Sequence, residues 1–123
     1  MKLEWQSSYS IGDAEIDAQH QALFEAADLL LAASDRDSKL FTAVRLMRLT
    51  QEHFAHEEWV MQQVGYPELA THFIEHTDLL SCLNGFIEKI SSNSVSSGEL
   101  ENFVSAWLQT HVAISDAKLV AFL

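Results

Sequence analysis

At 123 residues, 48% of them hydrophobic, the chain is long enough to bury a core without disulfides and short for two domains, so residues 1–123 read as one domain. Its 18 acidic and 7 basic residues leave a formal net charge of −11, which would repel a phosphate backbone and speaks against nucleic acid as a partner. No run of about 18 apolar residues occurs and the start MKLEWQSSYS lacks an apolar signal core, so membrane insertion is not expected and the chain is read as cytoplasmic.

The elements follow in chain order. After an extended N-terminal arm, a first helix is expected from about Asp17 to Ala33, capped by Asp17, with Ile16, His20, Leu23, Ala27 and Leu30 on one stripe. SDRDS ends it. A second helix runs from near Ser38 to Val64, its stripe being Leu46, Leu49, His53, Glu57, Val60 and Val64, and Gly65 stops it in a left-handed C-terminal position. Pro67 opens a third, with Leu69, His72, His76, Leu79, Leu83, Phe86 and Ile90 in a heptad-like seam. The only cysteine, Cys82, lies in that apolar stretch, where a buried thiol is expected. SSNSVSSG breaks the pattern, and Ser96 with Glu99 resembles a capping box for a fourth helix carrying Leu100, Phe103, Trp107 and His111. No segment alternates as a strand does. Four helices with short connections predict an all-α, antiparallel up-down-up-down four-helix bundle.

Five histidines, His20, His53, His72, His76 and His111, fall on stripes otherwise made of Leu, Phe and Ile. One such residue is an ordinary core histidine bonded to a carbonyl; five buried without partners would cost about 1–3 kcal/mol each, a sum comparable to the stability of a domain. A metal that bonds the lone pairs removes that cost. Helix geometry agrees: residues four apart stand only about 40° apart around the axis, which lets His53 with Glu57, and His72 with His76, share a site. Asp116 follows His111 by five, about 140° in an undistorted helix, so the fourth helix is expected to loosen or end between them. His56 faces away from Glu57 and reads as a surface or supporting residue, and Glu58, about 100° from Glu57, is assigned to solvent or to bonding behind a metal ligand.

Suppose two octahedral irons, which together offer roughly twelve positions. Five imidazoles fill five, two bridging carboxylates four and a bridging oxo or hydroxo group two, which leaves one open to dioxygen. The paired Glu-x-x-His motifs of ferritin-like di-iron proteins are absent.

At these residues the sequence resembles the bacterial hemerythrins. The likeness runs through Trp5, Tyr9-Ser10-Ile11-Gly12, Ile16-Asp17-Ala18-Gln19-His20, His53-Phe54-Ala55-His56-Glu57-Glu58 with Met61, Tyr66-Pro67, His72-x-x-x-His76 and His111 to Asp116. It implies two iron ions, one held by His72, His76 and His111 and the other by His20 and His53, with Glu57 and Asp116 bridging and dioxygen bound at the two-histidine iron. Leu108 and Ala113 are assigned to the dioxygen pocket. Many members place a bulky aliphatic where this chain has Ala113, so the pocket is expected to be roomier, to admit water and anions, and to oxidise faster than a dedicated carrier.

The resemblance implies reversible dioxygen binding for sensing, storage or delivery, with Ala113 favouring sensing. Family members also serve as sensory modules of signalling proteins, and the apolar end LVAFL leaves room for a C-terminal output domain or signalling partner. The alternative is a di-iron enzyme of peroxidase or nitric oxide reductase type, or a zinc or manganese hydrolase. Against it stand the missing general base outside the ligand set and the missing cluster of basic residues for phosphate. No residue is assigned a catalytic role.

Overall fold

The computed structural model describes residues 4–112 and 116–123. Among these the secondary structure is helical: a 3₁₀ turn at Ser7–Tyr9, then α1 (Ala14–Ala32), α2 (Arg36–Val64), α3 (Leu69–Ser91), α4 (Ser97–Thr110) and a closing 3₁₀ segment, Asp116–Phe122. Connections of three, four and five residues force successive helices to run antiparallel. The expected four-helix bundle is present, with α1 packed on α2 and on α4, and α2 on α3.

Local chemistry sets the helix ends, and it moves two expected boundaries. α1 starts three residues before the expected position because Asp13, not Asp17, is its cap, accepting from the amides of Glu15 and Ile16 at 3.1 and 3.0 Å. Asp17 turns its carboxylate back on the N-terminal arm, accepting from Ser10 Oγ at 2.5 Å and the Ile11 amide at 2.9 Å. Stacking of Tyr9 on Phe24, centroids 5.6 Å apart, holds the arm against the same helix. α2 is capped by Asp35, which accepts from the amide of Ser38. Gly65 ends it at φ 67°, ψ 40°, a conformation that glycine adopts without the cost a Cβ would impose. Pro67 lies in the turn ahead of α3 instead of within its first residues. Ser96 caps α4 through the Glu99 amide at 3.4 Å, while the Glu99 carboxylate faces Lys89 at 3.7 Å.

The stripes read from the sequence turn inward. Ile16, Leu23, Ala27 and Leu30 of α1 and Leu46 of α2 are wholly buried, and Leu83 and Ile90 of α3 nearly so. Each of these isoleucine and leucine side chains stabilises the fold by about 1.5–3 kcal/mol. Cys82 departs from expectation: it is exposed, because it precedes Leu83 by one position and so stands about 100° off the buried seam.

The core divides into two apolar clusters. One gathers Leu23, Leu30, Leu46, Phe54, Leu83, Trp107 and Leu108 with their neighbours; the other gathers Ile11, Ile16, Val60, Met61, Tyr66 and Leu119. Along each leg of the bundle a polar residue separates them: His20 between Ile16 and Leu23, Glu57 between Phe54 and Val60, His111 and Asp116 between Leu108 and Leu119. On α3, His72 and His76 stand between Leu69 and Leu79, which pack against the two clusters in turn. The fold therefore carries one polar layer across a dry interior.

Candidate metal centre

Seven side chains form that layer. His20, His53, His72, His76, His111, Glu57 and Asp116 are all at most 4% exposed. Glu57 stands on the inward side of α2 one turn after His53, and its Oε2 is 3.1 Å from His53 Nε2. Its other oxygen, Oε1, lies 3.0 Å from Nε2 of both His72 and His76 and 3.6 Å from that of His111. Oε2 also lies 3.9 Å from His20 Nε2. Asp116 enters from the opposite corner, 2.7 Å from His20 Nε2, 3.0 Å from those of His72 and His111 and 3.5 Å from that of His53. As its five-residue spacing from His111 requires, the α-helix ends at Thr110, and His111–Val112 form a wider π-type turn.

The donor atoms fall into two overlapping groups, each with all members within 4.8 Å of one another. One contains Glu57, His72, His76, His111 and Asp116; the other contains His20, His53, Glu57 and Asp116. Both carboxylates belong to both groups. Several atoms in this buried layer also lack a hydrogen-bond partner within the protein: Oε2 of Glu57, Nε2 of His53 and Nε2 of His111 are buried and unmatched. They lie close to one another yet point off line, as lone pairs do when directed at a common third atom. Imidazole and carboxylate donors in such sets suit a first-row transition metal, so the residues fit a metal site.

Surrounding residues fix the rings. Glu58 Oε2 accepts from His76 Nδ1 at 2.7 Å, which gives that carboxylate the supporting role behind a ligand and turns Nε2 toward Glu57. Gln19 Oε1 does the same for His53 Nδ1 at 2.8 Å. Phe54 stacks flat on His76, centroids 3.7 Å apart and planes 2° from parallel. Sequence reasoning gave Gln19 and Phe54 no such roles. His56 lies at the margin, its Nε2 3.5 Å from the exposed Glu15 carboxylate. Leu108 is wholly buried in the cluster above the layer; Ala113 lies outside the described residues.

An outer-layer bond of this kind has a measurable consequence. Glu58→Ala is expected to weaken metal binding by about 10–100-fold without unfolding the chain, because the His76 ring loses its orienting acceptor. Competition with a chromogenic chelator checks it, and an unchanged affinity would remove Glu58 from the site.

Without metal, protons hold the layer together. Burial works against charge on His53 and His72, but the nearby carboxylates of Asp116 and Glu57 outweigh it and push them up to about 9 and about 10. Burial and the Asp116 charge would raise Glu57, yet bonds from His53, His72 and His76 bring it down to about 2. Asp116 is likewise held well below the usual carboxylate range: burial opposes ionisation, and His111 and its neighbours overcome it. For the histidines, stability is fully present below the unfolded value of 6.5 and is lost as pH rises through about 9 and 10. For Glu57 it is present above the unfolded value of 4.5 and lost as pH falls through about 2. The metal-free chain is therefore expected to melt highest between pH 4.5 and 6.5 and to lose stability on either side. Thermal melts from acid to alkaline buffer check this; a Tm that climbs through pH 8 would contradict it.

A family model described as the hemerythrin HHE cation-binding domain matches residues 12–123. A hemerythrin from Sipunculus nudus is 30% identical over 114 residues, covering 93% of this chain and 87% of that protein. Bacteriohemerythrin of Clostridium acetobutylicum is 26% identical over 132 residues, covering 94% of this chain and 97% of its own length. In fold, a crystal structure of a hemerythrin point mutant superposes with a TM-score of 0.87 at 24% identity, covering 100% of this chain and 98% of the other. With the match spanning both groups of donors and nearly the full length of each relative, the chain belongs to the hemerythrin family.

Proposed function

We propose that the chain binds dioxygen reversibly at a pair of iron ions in the polar layer, the role the resemblance to hemerythrins implies. The observation that carries this reading is the sharing of Glu57 and Asp116 between two donor groups, with Glu57 turning Oε1 to His72, His76 and His111 and Oε2 to His53 and His20, because a carboxylate so placed can bridge two metals. His72, His76 and His111 would hold one iron, and His20 and His53 the other. A ferrous pair, when bound, supplies two electrons and an open ligand position for the gas. The protein's own part is to hold five imidazoles by their Nε2 edges, to orient two of them through Gln19 and Glu58, and to keep water out with the apolar clusters on either side. Leu108, wholly buried beside the layer, and Ala113 are the residues assigned to the gas pocket.

Iron-reconstituted protein tests the reading by optical cycling. Colourless ferrous protein should gain visible charge-transfer absorption in air and lose it under argon over repeated cycles. Irreversible bleaching, or no colour change at all, would overturn it, and steady turnover of peroxide or nitric oxide would move it to an enzyme. We assign the protein to oxygen sensing ahead of storage or delivery, on the small side chain of Ala113. Ala113→Leu is accordingly expected to slow spontaneous oxidation of the oxygenated protein about threefold to tenfold by restricting water. Equal rates in the two proteins would reject that role for the residue.

A further inference from the structure

The exposed side of the first half of α2 carries an ordered pattern that the metal layer does not use. Asp37, Phe41, Val44 and Arg48 are spaced by four, three and four, which places them within an arc of about 60°. All four face solvent, Phe41 at 72% and Val44 at 43% exposure. They line a surface depression built wholly from α2, with Leu40 and Arg45 beside them. In a chain of net charge −11, the guanidiniums of Arg45 and Arg48 have no ion-pair partner among the described residues. Asp37 is paired with Arg36 next to it at 3.1 Å, an exposed contact of small worth whose second carboxylate oxygen is free to be shared.

The order of the stripe is acid, aromatic, aliphatic, base, and it is symmetric about a point between Thr42 and Ala43. Phe41 and Val44 stand on either side of that point by about 2 Å along the axis, and Asp37 and Arg48 by about 8 Å. A second stripe laid antiparallel on the first across a two-fold axis at this point sets each Asp37 against an Arg48 and each Phe41 against a Val44. The same register brings Arg45 over Leu40, where the aliphatic stem of the arginine can cover an apolar side chain. A surface complementary to itself under a two-fold rotation is what a closed dimer requires. From this we infer that the chain associates with a second copy of itself through antiparallel packing of α2 on α2, with the Asp37–Arg48 pairs at the two ends and the four apolar side chains at the centre.

Chemistry favours a copy over a membrane or another class of partner. An anionic surface would meet two free guanidiniums but also Asp37, Glu52 and a strongly acidic molecule behind them. In the two-fold arrangement each acid in the stripe finds a base. The contact is one helix wide, which puts it among weak interfaces, with a dissociation constant of roughly tens of micromolar. Repulsion between two acidic copies is screened over about 8 Å at physiological salt, so the association belongs to ordinary ionic strength and weakens as salt is removed.

Sedimentation velocity at 0.15 M salt, from about 5 µM to about 1 mM chain, tests the inference across the expected midpoint. Wild type should shift from monomer to dimer and no further. Asp37→Arg places like charges together twice in the dimer, as does Arg48→Asp, and each should weaken association at least tenfold. The double variant Asp37→Arg/Arg48→Asp restores both pairs with reversed sense and should recover wild-type association to within about threefold. Phe41→Ser should weaken it about tenfold. All these positions are exposed, and circular dichroism confirms that each variant keeps its helices. A chain that stays monomeric throughout, a dimer indifferent to the single reversals, or a double variant no better than the singles would each overturn the inference.

Discussion

Glu57→Ala is expected to reduce the iron content of reconstituted protein from about two to less than half an equivalent per chain, the largest effect of any single change in the polar layer. Glu57 is wholly buried, and its oxygens lie within 3.9 Å of Nε2 of all five inward histidines. Its removal takes one carboxylate from both donor groups at once, leaving His20, His53, His72 and His111 with Asp116 as their carboxylate and His76 with Glu58 alone. Glu57→Gln separates charge from shape: the amide fills nearly the same space, but it brings donor hydrogens toward the metals and no negative charge, so it too should fail to hold the pair. Glu52→Ala, on the exposed side of the same helix, should bind iron as wild type does. Elemental analysis after desalting decides, and two irons retained in Glu57→Ala would remove the bridging role.

Removing the metal should lower Tm by roughly 12–24 °C at neutral pH. A ligand that binds only the folded chain stabilises it by about 4 kcal/mol when present at a thousand times its dissociation constant. For a domain of this size each kcal/mol moves Tm by about 3–6 °C. The effect grows above pH 7: once the unfolded histidines give up their protons above 6.5, the stabilisation that protons lend the metal-free layer declines, and metal has fewer protons to displace as pH nears about 9 and 10. The difference between loaded and metal-free Tm should therefore widen as pH rises from 6 to 9. A metal-free protein that melts at the loaded temperature would show that the layer is satisfied without ions.

Much of this site was legible in the sequence because helices convert spacing into direction. His53 with Glu57, and His72 with His76, are four apart, and each pair meets on the inner side as that spacing requires. Asp116 could be placed only by supposing that the helix breaks, and the π-type turn at His111–Val112 supplies the break. What periodicity could not give were contacts between elements. Gln19 bonds His53 from another helix, and Phe54 covers His76 across the α2–α3 seam; neither depends on spacing along one chain segment. Asp13 and Asp17 are both sound caps by composition. The choice between them is made by the arm folding back so that Ser10 and Ile11 claim Asp17. Cys82 was misplaced because apolar composition was read for a segment where direction, one position off Leu83, decides exposure. Glu58 shows the converse: its 100° offset from Glu57 excluded it from the ligands, and that same offset lets it reach the outer edge of His76.

Diffraction from crystals of iron-loaded protein, recorded at the iron absorption edge, tests the two-metal claim most directly. Two separate anomalous peaks should stand within the layer, one among His72, His76 and His111, the other beside His20 and His53, with Glu57 and Asp116 between them. A single peak, or iron bound only at the surface carboxylates, would contradict it.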